Sequence, residues 1–363
     1  LFGCALVVSA CGGSGSGGGG GSGGTGTTGA SGARTQLVFQ ASTLTPNAPL
    51  APALAQTAAI IQIRLHEAGV NGTVTAHDGR VLVTLPTASA TPAVERLVGS
   101  SARIEFYDWE ANALTPSGKT VAGQLQNQDP TADQISQGGG AGAGTPGAGS
   151  LSLYRAVSLA AKQPKQVSAD NARIGPQYFM FGAPGSEACA TAARRDGNPA
   201  IAAAQCLLSG PTSTRAGLIA ALPPGVKPAG GLTRVVQQGT TVLAAVPQNS
   251  SSPPSFADPT AEFFALRDHV SLSGAALVHP QQSVDRAGQP DVTFGFTPQG
   301  ATAFQRVTAA IARRGALVSG LGQTLNQHFA VALDTQLITV PSIDFKIYPS
   351  GIPGDNGADI TGG

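Results

Sequence analysis

Between Asp291 and Ile311 the spacing of apolar residues changes from every second position to every third or fourth, with almost no chain in between. Val292, Phe294 and Phe296 alternate with Thr293, Gly295 and Thr297. A strand over Asp291–Thr297 would therefore bury one face and leave the other wet or small. Pro298 follows at a helix's first position, where a missing N–H costs nothing. Ala301, Phe304, Val307 and Ile311 then make one apolar stripe. With so short a joint, the helix has to fold back over the strand's apolar face. The wider stretch Ser273–Thr308 adds a short apolar segment and a polar hairpin or loop ahead of the strand.

A second patterned region runs from Gln36 to Trp109. Gln36–Ala41 alternates as a strand, and a Pro-rich approach (Pro46 to Pro52) leads into a helix over Ala53–Ala68. Its stripe is Leu54, Ala58, Ile61 and Leu65, and Gly69 is placed to end it. Gly72–His77 and Arg80–Leu85 flank Asp78-Gly79, a strong hairpin signal, and Pro86 stops the second strand. Thr91-Pro92 opens a second helix with Val94, Leu97 and Val98 on one side, ending at Gly99. Ala102–Trp109 returns as a strand. The order β-α-β-β-α-β is that of a ferredoxin-like unit, a four-stranded sheet with both helices on one face. Such a fold carries no function by itself.

Composition limits the partners. Charged residues are 11% of the 363, net charge is +1 and aromatics are 5%. These values give no electrostatic or stacking basis for nucleic acid or acidic membranes as general partners. No apolar run reaches the eighteen or so residues of a membrane-spanning helix. The chain starts at Leu1 rather than Met and is read as missing its front end. Leu1–Ala10 (LFGCALVVSA) reads as the latter half of an export signal. Val8-Ser9-Ala10-Cys11 resembles the bacterial lipobox, which implies lipidation of Cys11. The Gly/Ser stretch behind it would be a flexible tether, about 25 Å in root-mean-square span. Leu1-Phe2-Gly3-Cys4 is a competing lipobox, and a membrane helix cut short is the other alternative.

The middle of the chain has weaker patterning. Glu110–Ser150 passes through a second Gly-rich stretch, Gly138–Gly149. Ala113–Thr120 (ALTPSGKT) has the loosest spacing of a phosphate-binding loop, with Lys119 in the lysine position, but no long amphipathic helix follows, so an exposed turn is expected. Leu151–Lys162 can form a short helix, and Gln177–Phe181 is apolar enough to dock on a core. Cys189 and Cys206 are expected to pair in an exported chain, closing a loop for roughly 3 kcal/mol. Two buried free thiols are the alternative. Ser250–Pro259 reads as a linker.

Beyond that linker the residues resemble the periplasmic head of the SecD family. The matching segments are Leu272–Leu277 (LSGAAL), Gly288–Phe294 (GQPDVTF), Gly300–Phe304 with Val307-Thr308, Phe329–Asp334 (FAVALD), Pro341-Ser342-Ile343 and Ala358–Gly363 (ADITGG). Arg64 with Gly69-Val70, Val81–Pro86 and Ala102–Phe106 resemble the base of the same region. The resemblance covers Gln36–Trp109 and Leu272–Gly363 and rests on the order of many short motifs. It implies an accessory of the Sec translocase that grips emerging, unfolded preprotein outside the membrane, with SecF and a SecYEG-type translocase as partners. SecD proteins continue into membrane helices whose carboxylates and arginine couple to protons; those have no counterpart here. The chain is then either a fragment or a lipid-anchored relative, at the extracytoplasmic face of the cell membrane in either case.

The fold class expected is α+β, with a ferredoxin-like βαββαβ base, a second small α+β head and long disordered Gly/Pro-rich segments. The division is 1–11 truncated lipoprotein signal, 12–34 tether, 35–109 base, 110–150 low-complexity insertion, 151–249 irregular segment, 250–259 linker and 260–363 head. His66, His77, His269, His279 and His328 lack metal-site spacing, so no metal or cofactor is expected. Asp285 with Asp291, and Asp334 with Asp344, are the only carboxylate pairs suggested, and turn solvation or capping accounts for them. No catalytic residue is assigned. A non-enzymatic polypeptide-binding module is the leading reading, with the contact surface around Gln281–Gln289 and exposed sheet edges. The alternative is an envelope-associated structural lipoprotein that kept the fold without a transport role.

Overall fold

In the computed structural model the described residues are 4–9, 34–43, 50–86, 89, 94, 98, 103–125, 148–168, 175–222, 226, 232–246, 256–284, 290–319 and 325–361. Cys11, the tether and the Gly-rich stretch at 138–147 lie outside them. The chain divides into two units, Leu1–Ala102 and Arg103–Gly363.

The smaller unit is an antiparallel sheet with a long helix packed on it. Its elements are strand β1 (Cys4–Ser9), β2 (Arg34–Thr43), helix α1 (Leu50–Glu67), β3 (Thr73–His77) and β4 (Arg80–Pro86). The order across the sheet is β1-β2-β4-β3. The β3–β4 hairpin turns on Asp78 (φ 47°) and Gly79 (φ 73°), the paired positive angles that a two-residue turn needs to follow strand twist. The stripe of α1, Leu54, Ile61 and Leu65, packs on Leu37, Phe39, Val81, Val83 and Leu85. Most of the helix expected over Thr91–Gly99 lies outside the described residues; Val94 and Val98 are helical, and Val98 is buried in the same core.

Strands β2, β3 and β4 stand in the ferredoxin-like order, but the fourth place differs from expectation. Cys4–Ser9, read from sequence as part of an export signal, pairs with β2 there. The expected occupant, β5 (Ile104–Asp108), pairs instead within the larger unit. Its composition explains why. Phe106 and Tyr107 point to opposite faces and both are buried. A sheet with helices on one side covers only one such face, whereas β5 has a core on each.

In the larger unit β5 leads into short helices α2 (Trp109–Asn112) and α3 (Val121–Leu125). Helix α4 (Leu153–Ala160) follows. The segment expected to be irregular is built of β6 (Gln177–Phe181), α5 (Glu187–Asp196), α6 (Ala200–Ala203), β7 (Leu207–Thr212), α7 (Arg215–Ala220) and β8 (Leu232–Val236). Its strands form a sheet in the order β7-β6-β8. Phe179 and Phe181 of β6 pack with α4 and with Phe263 and Ala265. The Cys189 and Cys206 sulfurs lie 2.09 Å apart beside Met180, Leu208 and Leu218.

The largest sheet joins β9 (Thr240–Ala245), β10 (Phe263–Arg267), β11 (Leu272–Ser273), β14 (Gln327–Leu333), β15 (Gln336–Thr339) and β16 (Ser342–Ile343) to β5. Its order is β10-β9-β15-β14-β5-β11, with β16 against β14. Laid flat, β10 and β11 would stand about 24 Å apart, five strand spacings, yet the chain between them spans at most about 18 Å. The sheet therefore curls, and the Tyr107 hydroxyl on β5 reaches Asp268 just past β10 at 2.9 Å. Tyr107, Trp109, Leu243, Phe264, Leu266 and Leu337 fill the inside of the curl.

Outside the curl lies the head, formed by β12 (Leu277–Val284), β13 (Pro290–Phe296), helix α8 (Pro298–Val318) and β17 (Ala358–Thr361). Strand and helix occupy the places their periodicity indicated. The joint is Thr297, whose side chain accepts the Gly300 N–H at 3.0 Å. Phe304 and Ile311 of α8 pack on Phe106, Phe294, Phe329 and Val331. The chain after β16 crosses α8 closely at Gly351 (φ +84°), where a Cβ would stand 2.1 Å from the Gln305 carbonyl oxygen.

A polar group fixes α8 to the curled sheet. Arg314 donates to both oxygens of Asp108, at 2.8 and 2.5 Å, and to Gln327 Oε1 at 3.0 Å. Its guanidinium also stands 3.5 Å from Glu110, which accepts from the His328 backbone N–H at 2.9 Å and contacts His328 Nδ1 at 2.6 Å. Burial acts most strongly on Arg314 and disfavours its charge. The bonds and attraction of Asp108, then Glu110, outweigh it and raise the guanidinium pKa above its ordinary value.

Arg314→Ala leaves Asp108 and Glu110 buried beside a lost cation and should destabilise the larger unit by about 3 kcal/mol, read from chemical unfolding. Arg314→Lys should recover less than half of that, because an ammonium cannot replace the planar fork. Reduction of Cys189–Cys206 should lower the unfolding midpoint by a shift worth roughly 3 kcal/mol, with two thiols appearing on titration. An unchanged midpoint and two thiols before reduction would show the cysteines unpaired.

Candidate functional site

The head sheet has the order β12-β13-β17, so β12 and β17 are its edges. Strand β13 pairs with both neighbours, which sets its alternation onto two unlike faces. Phe294 and Phe296 face the core beneath α8. Asp291 and Thr293 face away from it, level with Gln281 and Ser283 on β12 and Asp359 on β17. One side of this thin sheet is thus apolar and anchored, and the other is polar.

The two edges differ. β17 is four residues long. β12 is eight residues long, with His279, Pro280, Gln281 and Gln282 exposed. Its first half is interrupted, because the register shifts between Val278 and Gln281 and His279 adopts φ +50°. A bulge and a proline are devices that blunt an edge against pairing. Beyond them Gln281–Val284 pairs regularly with β13 from Thr293 to Pro290. In an antiparallel edge strand alternate backbone groups point outward, so this half offers a short ladder. Val284 is 68% exposed and Val292 is 43% exposed, which leaves an apolar strip where the sheet runs past its core.

The Gln281–Gln289 surface singled out from sequence is divided by the structure. Gln281–Val284 is this edge, and residues 285–289, including Asp285, lie outside the described ones. Asp291 is buried in β13. Asp334 and Asp344 serve separate turns. Asp334 (φ 56°) accepts the Arg103 N–H at 2.9 Å, and Asp344 accepts the Lys346 N–H at 2.8 Å. Ala113–Thr120 is a closed turn rather than a phosphate cradle. The Thr115 N–H bonds Lys119 O, and the Gly118 N–H bonds Thr115 O, so these amides point at the loop itself. Among the described residues no group of three or more His, Cys, Asp or Glu could hold a metal ion. None of the described helices is long and apolar enough to cross a membrane.

Sequence reasoning missed the Asp108–Glu110–Arg314–His328 group. Its members come from four elements, with Glu110 and His328 bonded across 218 residues, and no local spacing marks them. It also missed the second buried polar set, in which the Tyr107 hydroxyl lies 2.9 Å from both Glu105 and Asp268 and Arg103 stands 2.6 Å from Glu105. The alternation of Glu105 and Tyr107 in β5 was the available signal.

Residues 250–363 match the family model described as SecDF, P1 head subdomain. No curated protein matches the chain. Two solved SecDF structures align with it. A crystal structure of SecDF in a super-membrane-facing form shares 17% identity with a TM-score of 0.33, over 90% of this chain and 26% of that one. A structure of SecDF, described as a membrane component that enhances protein export, shares 16% identity with a TM-score of 0.33, over 90% of this chain and 85% of that one. The chain thus spans about a quarter of the first SecDF chain it matches. The helix α8, the sheet β12-β13-β17 and the buried arginine group that holds them all fall on the matched residues or contact them, and it is through residues 250–363 that the chain is SecD/SecDF-like.

Proposed function

We propose that this chain is an extracytoplasmic, non-enzymatic module that assists Sec-dependent protein export by contacting emerging, unfolded preprotein. The observation that carries the reading is the match of residues 250–363 to the SecDF P1 head subdomain. The geometry adds a means of contact. An extended polypeptide can pair with Gln281–Val284 through main-chain hydrogen bonds, without its sequence being read, and can lay apolar side chains on Val284 and Val292. The rigid attachment of α8 through Arg314 suits a surface that bears a load. In this reading the working partners are a SecF-type subunit and a SecYEG-type translocase. Cys11 carries the lipid that holds the module at the membrane, with the Gly-rich residues behind it as the tether; β1 lies ahead of Cys11 and belongs to the chain before its signal is removed.

A photo-crosslinker placed at Gln282 or Val284 in cells should capture a translocating preprotein. The same group at Leu317, 84% exposed on α8, should capture at least fivefold less. Equal yields at both places, or capture of neither preprotein nor Sec subunits, would remove the transport reading and favour a structural envelope protein. Labelled palmitate should enter the chain and be lost in Cys11→Ser. Labelling that survives there but disappears in Cys4→Ser would move the anchor to the competing site.

A further inference from the structure

The polar face of the head sheet holds a cup whose chemistry the proposed contact leaves unused. The cavity has a volume of about 490 Å³, and its polar lining is His279, Gln281, Asp291, Thr293, Asn356 and Asp359. Asp291 is 94% buried, being 6% exposed, and its Oδ1 is enclosed with no hydrogen-bond partner. Leaving a buried acceptor unpaired is costly, more so for a charged one. Ser283 and Thr293 stand beside it in the sheet, yet that oxygen takes no donor from them. Asp359 lies opposite Thr293 on β17 and is exposed, which puts a second carboxylate at the rim. No lysine or arginine is among the lining residues, which include two carboxyl side chains.

We infer that this cup binds a guanidinium, the arginine side chain of an extended polypeptide lying along β12. Three features favour that occupant. The missing partner is a hydrogen-bond donor, and a cation supplies charge-assisted donors. Guanidinium presents several N–H groups in one plane, enough to meet Asp291 inside and Asp359 at the rim together. No group of three or more His, Cys, Asp or Glu that could hold a metal ion occurs among the described residues, whereas two carboxylates suffice for one guanidinium. The depression is open to solvent and leaves room for a long side chain with water.

The inference rests on the reading that β12 receives an extended chain, and it adds a preference to that contact. Gln281 belongs both to the cup and to the regular half of the edge. A strand added beside β12 would stand two strand spacings from β13, about 10 Å, a distance an arginine crosses and a short side chain does not. Its successive side chains would alternate between the acidic cup and the Val284–Val292 strip. The selected pattern is therefore arginine alternating with apolar residues.

The test uses the full chain and two probes. N-acetylarginine N-methylamide, followed by NMR, should shift the backbone amides of Asp291, Thr293 and Asp359 in wild type and fail to do so in Asp359→Asn. Asp359 is exposed, so that variant keeps the fold. A fluorescent twelve-residue peptide of alternating Arg and Val should bind at least tenfold more tightly than its Gln–Val counterpart. That preference should fall to less than twofold in Asp359→Asn and in Asp291→Asn. Peptide binding with no preference for arginine would overturn the cup and leave the polypeptide contact intact. Arginine amide shifts without peptide binding would keep the cup and overturn the polypeptide contact; failure of both probes would overturn both. Equal binding of a Lys–Val peptide, or the same amide shifts on adding calcium chloride, would overturn the assignment to guanidinium.

Discussion

Strand β5 needs cover on both faces, and the larger unit is arranged to give it. Phe106 goes into the core under α8, and Tyr107 and Trp109 go into the curl of the large sheet. Each is buried to 2% exposure or less, and a large side chain on water would forfeit about 2 kcal/mol apiece. One strand of five residues thus joins two cores, and its ends carry the polar groups that tie them. Asp108 holds Arg314 at one end, and Glu105 meets Arg103 and the Tyr107 hydroxyl at the other. Removing β5 to an open four-stranded sheet, as its sequence position suggests, would expose one of these two sets.

The buried charges fit that arrangement better as positioning than as stability. An arginine and two carboxylates lose solvation on burial, and apolar replacements of the same shape often do as well or better. What the group supplies is direction. The fork of Arg314 bonds Asp108 through two nitrogens and Gln327 through a third, so α8 has one rotation and one height on the sheet. Because β13 enters α8 through a single capping residue, fixing the helix fixes the head sheet. The geometry of β12 is therefore set by contacts on the far side of α8.

Much of this was legible in the chain where one local rule decided the outcome. The Asp78-Gly79 hairpin, the stripe of α1, and the strand-to-helix change at Thr297-Pro298 need only nearest neighbours in sequence. Legibility ended where one local pattern could satisfy two tertiary settings. Cys4–Ser9 reads equally as an export signal and as an edge strand, and Ala102–Trp109 fits any sheet with an opening. Residues 177–245 looked irregular because their strands are five or six residues long and draw their cores from one another and from β10, further along the chain. The arginine group was invisible because its members meet only after the curl closes. Gln281–Val284 reads from sequence as part of a polar loop and is an edge strand instead, since its pairing and the bulge at His279 depend on the register of its partner.

The two faces of the head sheet follow from one alternation. β13 places Phe294 and Phe296 in the core and Asp291 and Thr293 opposite them, so the residue that packs and the residue that could bind are neighbours in the chain. A shift of one residue in the pairing of β13 would bury a carboxylate under α8 and expose two phenylalanines. The same pairing that stabilises the head therefore fixes the acidic side of the sheet beside its one long edge. Specificity of the kind inferred for that side needs no added loop or domain. It arises because a strand buried on one face must present its other residues somewhere, and here they include an aspartate whose enclosed oxygen still lacks a donor.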